Sequence, residues 1–475
     1  MKKYILALLG VVFVCSVYFA QEMSESVMIS DTPPDSSKWA QAAFGPDGKV
    51  HIIWAEDFSN SRGDDIFYVA YDGLNVGNPA NLTNSRLVGA ERPYICTSRQ
   101  GGIFIVYDQE GQCHLIEYDP EEERWLDPFR VSPQGYGGGE PACAADPDGN
   151  IYVIWFAEVG SRAYSRARIN GEWEDVIRLS SQRRSTQVGM AAGNDGQVWA
   201  IWREKQPNRE YKIFYRKRTK NSQWSPIKPM NLSGASQAHP HLAVGPDNIP
   251  VVTYADVDVG EKKELWICTI DENTNPREMI VPVGNHHYSR IAIDNQGNKH
   301  VAWQIGPGDH GRGVRYMNNV GGNWNPSEVL PNSGGSPKLP GISADAGGNV
   351  AVVWSSAIPG RDKEVWLSSL YPIVVLYPPS NLGLNISISN LKETPEIGYD
   401  LSWEPNPDND QEYVKGYNIY KKEGDGEFEF LLSVNESTLT ASFTFTGAET
   451  RRQFGIKTVS TYDTEGPLAI FGIDE

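Results

Sequence analysis

The residues able to do chemistry in this chain cluster where short strands begin or have just ended. His239 and His241 stand two apart, a spacing that sends both side chains to one face of a strand. His286 and His287 open a later strand that continues through Tyr288 to Arg290. Three imidazoles, His239, His241 and His287, joined by a carboxylate from Glu204 or Asp256, would suffice to hold a divalent cation. With Tyr288 or Arg290 beside a substrate, such a site would suit a metal-assisted lyase; apart from that ion no cofactor is expected. Trp39 with Gln41, Arg92 with Tyr94, Glu140, Gln187 and Lys338 take the same place in other stretches. The acids Glu56, Asp57, Asp108, Glu110, Glu158, Glu204 and Asp256 follow strand ends. Trp39 and Tyr94 offer ring faces to a sugar, and the acids and amides offer partners for its hydroxyls. The rim-binding candidates are therefore Trp39, Arg92, Tyr94, Glu140, Glu158, Glu204, Asp256, Tyr288 and Arg290. Arg62-Gly63-Asp64 spells an integrin-binding tripeptide, but three residues in one loop are better read as coincidence.

The elements that must position these groups repeat at a period of about 50 residues, the mark of a repeat architecture. Seven copies of a turn and a strand end on an aromatic residue: Trp54, Tyr107, Trp155, Trp202, Tyr254, Trp303 and Trp354. Asp or Asn with Gly in the turn, as in GPDGKVHIIW and DPDGNIYVIW, suits a tight hairpin and has no need of calcium. A third strand such as Asp65–Tyr71 or Tyr211–Arg216 follows, then a fourth ending in NLT, RVS, RLS or NLS. Four strands per repeat predict a propeller blade. The seventh copy lacks its fourth strand, and Glu25–Ser30 ahead of the first copy resembles one, so the N-terminal strand is expected to close the ring. Eleven residues before each aromatic marker stands a small residue: Ala43, Cys96, Ala144, Ala191, Ala243, Ala292 or Ser343. Strands crowding toward an axis explain that restriction. Pro93, Pro141, Pro240 and Pro340 recur three positions earlier.

The expected fold is all-β: a seven-bladed propeller over residues 21–372, a linker over 373–378 and a second domain over 379–475. The repeat resembles the sialidase-type propellers, whose Asp box S-x-D-x-G-x-x-W joins third and fourth strands. Here Trp125, Trp173, Trp224 and Trp324 keep the final position, while the Ser and Asp of the box are absent. That resemblance would imply an arginine triad, a Tyr–Glu nucleophile pair and an Asp acid, and no local motif assembles them. The final stretch resembles a fibronectin type III domain through Pro379–Leu382, Leu401-Ser402-Trp403, Gly416–Tyr420, Phe454–Val459 and Asp463–Gly466. Phe454 replaces the usual Tyr, so the corner hydrogen bond of such domains should be missing.

Charge and composition narrow the partners. The chain has 42 Lys+Arg against 60 Asp+Glu, a net charge of -18, which repels nucleic acid. Met1-Lys2-Lys3 and an apolar run to Ala20 read as a signal peptide over residues 1–20, with a retained anchor as the lesser alternative. No later stretch suits a membrane helix. Cys96, Cys113, Cys143 and Cys268 lack metal-site spacing and read as free thiols. The sequence thus points to a protein that is secreted, periplasmic or at the cell surface, and that binds a glycan or protein through the propeller rim without catalysis. The alternatives are an enzyme on extracellular polysaccharide, glycosidase or lyase, and a structural part of an envelope assembly.

Overall fold

The computed structural model describes residues 23–471 apart from 33, 59–62, 86–87, 158–159, 231, 233–235, 258–262, 272–274, 307–311, 346–347, 358, 371–375, 390–395, 408, 410–413, 425, 427, 447–451, 461–464 and 467. The signal-peptide segment, Glu158 and Arg62 lie outside the described residues.

All regular structure among the described residues is β. Up to Ser369 the strands form seven separate antiparallel sheets of four or five strands, each strand pairing mainly with the next in sequence, which is consistent with a β-propeller. The first sheet shows the plan: Ser36–Phe44, Val50–Asp57, Asp64–Tyr71 and Ala80–Asn81. The first strands of the seven sheets are Ser36–Phe44, Ala90–Thr97, Gly139–Ala145, Ser185–Ala192, Ser236–Val244, His286–Ile293 and Lys338–Ala344. Each touches the first strand of the sheet before and after it, and the last touches the first, so they form a closed cycle.

Local chemistry explains the strands. In the turn after six of the seven first strands an Asp carboxylate is taken up by backbone N–H groups of its own turn, as Asp146 accepts from Asp148 and Asn150 and Asp294 from Gln296 and Asn298, and in the second sheet Ser98 Oγ takes that part by accepting from Gly102. A left-handed residue follows in the same turn, Gly149 at φ 83° for example. The aromatic marker at the end of each second strand is fully buried in all seven sheets. These rings pack between sheets: Trp54 joins Val365 and Leu367 of the seventh sheet, and Tyr107 joins Ile53 and Ile66 of the first. Cys113, Cys143 and Cys268 are buried free thiols, and Cys96 is a half-buried one.

The two ends of the chain's first part meet in the seventh sheet. Val27–Met28 pairs with Lys363–Ser369 as that sheet's outer strand, in the place expected for the Glu25–Ser30 segment. Two buried carboxylates sit beside the joint. Glu56 accepts hydrogen bonds from Trp54 Nε1, Ser37 Oγ and Thr32 Oγ1, at 2.7, 2.8 and 2.9 Å. Glu364 accepts from Ser30 Oγ at 2.7 Å and from Arg361 at 3.2 Å. Gly341 lets the first and seventh sheets approach: a Cβ there would lie 3.0 Å from the Gln41 Cα and 2.9 Å from a Val353 methyl.

Residues 380–470 form a sandwich of two further sheets. One has the order Ser380–Ser389, Glu396–Glu404, Thr440–Thr446; the other Glu429–Asn435, Val414–Glu423, Arg452–Ser460, Ala469–Ile470. Trp403, Tyr417, Ile419, Phe454 and Ile456 fill its interior, with Trp403 edge-on to Tyr417 at 5.6 Å. Phe454 is stacked on Phe443 at 5.7 Å.

Two outcomes are expected of this fold. Gly341→Ala should lower the melting temperature by several degrees, because the methyl meets backbone that cannot retreat, at a cost of about 1–3 kcal/mol. Burial pushes the Glu56 carboxyl up to about 7, against the pull of Trp54, Ser37 and Thr32 and with repulsion from Glu364 added. Its ordinary value of 4.5 lies lower, so the stabilisation is complete below that pH and is lost as pH rises through 7. Thermal melts from pH 5 to 8.5 should show a falling melting temperature, and Glu56→Gln should flatten the slope.

Candidate functional site

Each first strand carries one irregularity, and it falls at the same place seven times. The ladder to the second strand shifts register between Lys38 and Gln41, Glu91 and Tyr94, Gly139 and Ala142, Thr186 and Gly189, Ala238 and His241, His287 and Arg290, and Lys338 and Gly341. The first residue inside every bulge has a left-handed backbone and none is glycine. They are Trp39 (φ 54°), Arg92 (52°), Glu140 (43°), Gln187 (53°), His239 (52°), Tyr288 (49°) and Leu339 (40°). An L-residue there costs about 1 kcal/mol, and such strain is retained where the surrounding structure enforces it. Proline follows in four of the seven bulges, where the ladder has no use for its missing N–H.

All seven strained residues line one axial cavity of about 280 Å³. The residues two further on, among them Gln41, Tyr94, His241 and Arg290, line it as well. Below it lies a second cavity lined by the small residues Ala43, Cys96, Ala144, Ala191, Ala243, Ala292 and Ser343. Tyr94 and His241 line both cavities, their hydroxyl and Nε2 3.4 Å apart across the axis. The Ile291 N–H donates to His241 Nδ1 at 3.2 Å, so the ring proton belongs on Nε2, facing the Tyr94 oxygen. Burial drives the His241 and His239 pKa values well below the usual imidazole range. Neighbouring cations add to it, Arg290 for the first and Lys263 and Arg203 foremost for the second. Both rings are neutral at pH 7.

The upper wall divides by chemistry. On one side His239 lies over Tyr288, ring centroids 4.1 Å apart, next to Leu339 and then Trp39. On the other stand Arg92, Glu140 and Gln187, with Gln187 Oε1 accepting from the His239 backbone N–H at 2.7 Å. Arg290 has its Nε buried without a partner, and one Nη reaches only its neighbour's carbonyl at 3.3 Å. Arg92 is 4.0 Å from Asp108 in a shallower cleft shared with Glu91 and Glu110. Glu140 is the one carboxylate among the described lining residues.

Several expected roles change. Glu204 does not face the cavity; it is buried, accepting from Trp202 Nε1 at 2.8 Å and Ser181 Oγ at 2.6 Å, and so braces a loop as Glu56 does. Asp256 is also buried and away from the lining. In the seventh sheet Leu339, not Lys338, carries the strained position. The three-histidine cation site is not assembled. His287 Nδ1 accepts from the Lys263 ammonium at 2.8 Å, His241 Nδ1 is taken by a backbone N–H, and only His239 and His241 line the cavity. Among the described residues no group of three or more His, Cys, Asp or Glu is placed to hold a metal ion. His239 and His241 both line the cavity despite the bulge between Ala238 and His241, and His287, paired with Lys263, is the one of the three that does not join that lining.

No family model matches the sequence, and no curated protein matches it. Among solved structures, a Dyadobacter fermentans protein of unknown function is similar at TM-score 0.46 and 11% identity, over 73% of this chain and 98% of that one. The Hadza microbial sialidase Hz136 gives 0.39 and 10% over 70% and 65%. Trypanosoma rangeli sialidase in complex with the inhibitor DANA gives 0.41 and 7% over 94% and 87%. At these values no activity, ligand or residue role passes from those proteins to this chain.

The strained ring makes a prediction of its own. Leu339→Ala and Leu339→Gly remove nearly the same side chain, yet the glycine variant should be the more stable by about 1 kcal/mol, since only glycine takes that backbone at no steric cost. Denaturant unfolding of both variants tests it; equal midpoints would mean the backbone relaxes.

Proposed function

We propose that the chain is a seven-bladed β-propeller followed by a fibronectin type III domain, exported from the cytoplasm, and that it binds a glycan non-catalytically in the axial cavity. The observation that carries this reading is the ring of seven left-handed residues. The backbone repeats seven times while the side chains differ seven times, being Trp, Arg, Glu, Gln, His, Tyr and Leu. A purely structural position would repeat its side chain too, as the buried aromatic markers do. Strained residues aimed into one cavity hold their groups in place before a ligand arrives, which lowers the ordering cost of binding.

The wall of Trp39, Tyr288 and Leu339 suits the C–H face of a sugar ring, and Arg92, Glu140 and Gln187 opposite it suit hydroxyls or a substituent. A two-carboxylate glycosidase is disfavoured because Glu140 has no second carboxylate with it among the described lining residues. The seven repeats of four or five strands support the blade count, and the seven-stranded sandwich with buried Trp403 supports the fibronectin-like assignment.

A polysaccharide and glycan-array screen of the purified protein, reading retention and product release together, tests the proposal. Retention without product is expected. Trp39→Ala and Tyr288→Ala should each weaken it ten-fold or more with little change in melting temperature. Retention indifferent to both substitutions would remove the cavity from consideration, and product release would make the protein an enzyme.

A further inference from the structure

The axial cavity does not end at its ring. Glu140 and Gln187 also line a cleft of about 360 Å³ between the third and fourth sheets, together with Arg184, Arg203, Tyr211 and Phe156. The two cavities therefore share a wall built from Glu140 and Gln187.

The cleft's cations are unusual in a chain of net charge -18. Arg203 is half-buried; its Nε donates to Thr186 Oγ1 at 3.1 Å and its guanidinium lies 4.2 Å from the Tyr211 ring centroid. Burial lowers its pKa, with repulsion from Arg184 in the same direction and Tyr211 and Glu140 opposing it. Among the described residues its two Nη groups have no hydrogen-bond partner, and no carboxylate lies within ion-pair distance of Arg203 or Arg184. Two other arginines of the chain are matched by carboxylates: Arg168 makes two 2.7 Å bonds to Glu117, and Arg218 bonds both oxygens of Glu174. A guanidinium fork held rigid on an aromatic face, with its outer donors unused, fits a planar or multi-oxygen anion.

We infer that this cleft is a second subsite, continuous with the axial cavity, that takes the carboxylate or sulfate on the second unit of an acidic oligosaccharide. The inference rests on the axial cavity being a glycan site. It adds a direction, from the axis outward between the third and fourth sheets, and a charge requirement on the unit next to the one seated at the axis. A glycan fits better than an acidic peptide because the axial wall offers flat apolar faces opposite hydrogen-bonding groups, the two-sided surface of a pyranose.

Titration calorimetry on the full chain tests it with mono-, di- and trigalacturonate, sulfated disaccharides, neutral galacto-oligosaccharides of equal length, and polyglutamate. Affinity is expected to rise at least ten-fold from mono- to digalacturonate or to a sulfated disaccharide, to fall with added salt, and not to rise along the neutral series. Arg203→Gln should erase that increment and leave monosaccharide binding unchanged. Arg184→Gln, a substitution at an exposed position that folding tolerates, should reduce it. Equal affinity for acidic and neutral disaccharides, an increment that survives both variants, or no binding of any acidic glycan would overturn the inference. Polyglutamate binding with the same arginine dependence, and no glycan binding, would overturn the glycan assignment. Trp39-dependent binding of neutral glycans alone would sink this subsite and leave the axial reading standing, whereas no Trp39-dependent binding of any probe would remove both.

Discussion

Seven first strands crowd around one axis, and the rest of the molecule follows from that closure. Packing at an axis admits little volume, so one position of each first strand that lines the lower cavity is Ala, Cys or Ser, and Gly341 is required where the seventh sheet meets the first. Seven strands cannot all continue regularly with large side chains directed inward. At the upper end each instead bulges, turns one residue left-handed, and so directs a large side chain into the cavity. The steric problem of closure and the provision of a site thus have the same local solution.

Closure also needs the two ends of the seven-sheet segment joined, and that joint uses charge sparingly. Glu56 and Glu364 are buried with hydroxyl, indole and guanidinium donors around them, and the outer strand Val27–Met28 comes from the opposite end of the sequence. Burying two carboxylates together raises the proton affinity of one of them, so the joint is sensitive to pH in a way a purely apolar seam would not be. Glu204 plays the same bracing part under Trp202. Much of the acidic excess near the site is therefore structural or lies outside it, while among the described residues Arg290, Arg184 and Arg203 have no carboxylate at ion-pair distance.

The blade pattern was legible because it is written in local chemistry. Turn residues, alternating apolar strands and seven aromatic markers obey short-range rules, and each marker proved fully buried. The small residues eleven positions earlier were readable for the same reason, and all seven line the lower cavity. Of the expected rim residues, Trp39, Arg92, Tyr94, Glu140, Tyr288 and Arg290 do meet at the axial cavity, since position in the repeat alone brings them there. Glu204 and Asp256 did not follow, because the residues after a second strand can turn toward a neighbouring sheet as readily as toward the axis.

What the sequence by itself determined is the repeat, its turns and its buried rings, which follow from patterns within a few tens of residues, and the strand that must return to complete the seventh sheet, which follows from the one repeat left a strand short even though it pairs Val27 with Leu367. What only the tertiary structure decided is the backbone at Trp39, Arg92, Glu140, Gln187, His239, Tyr288 and Leu339, where left-handed angles have no signature in residue type beyond the prolines that follow four of them. It also decided that His287 faces Lys263, and that Arg184 and Arg203 share a cleft with Glu140. These are contacts between neighbouring sheets around a closed ring, fixed by a bulge and by steric crowding at an axis, and no periodicity along a single strand encodes them.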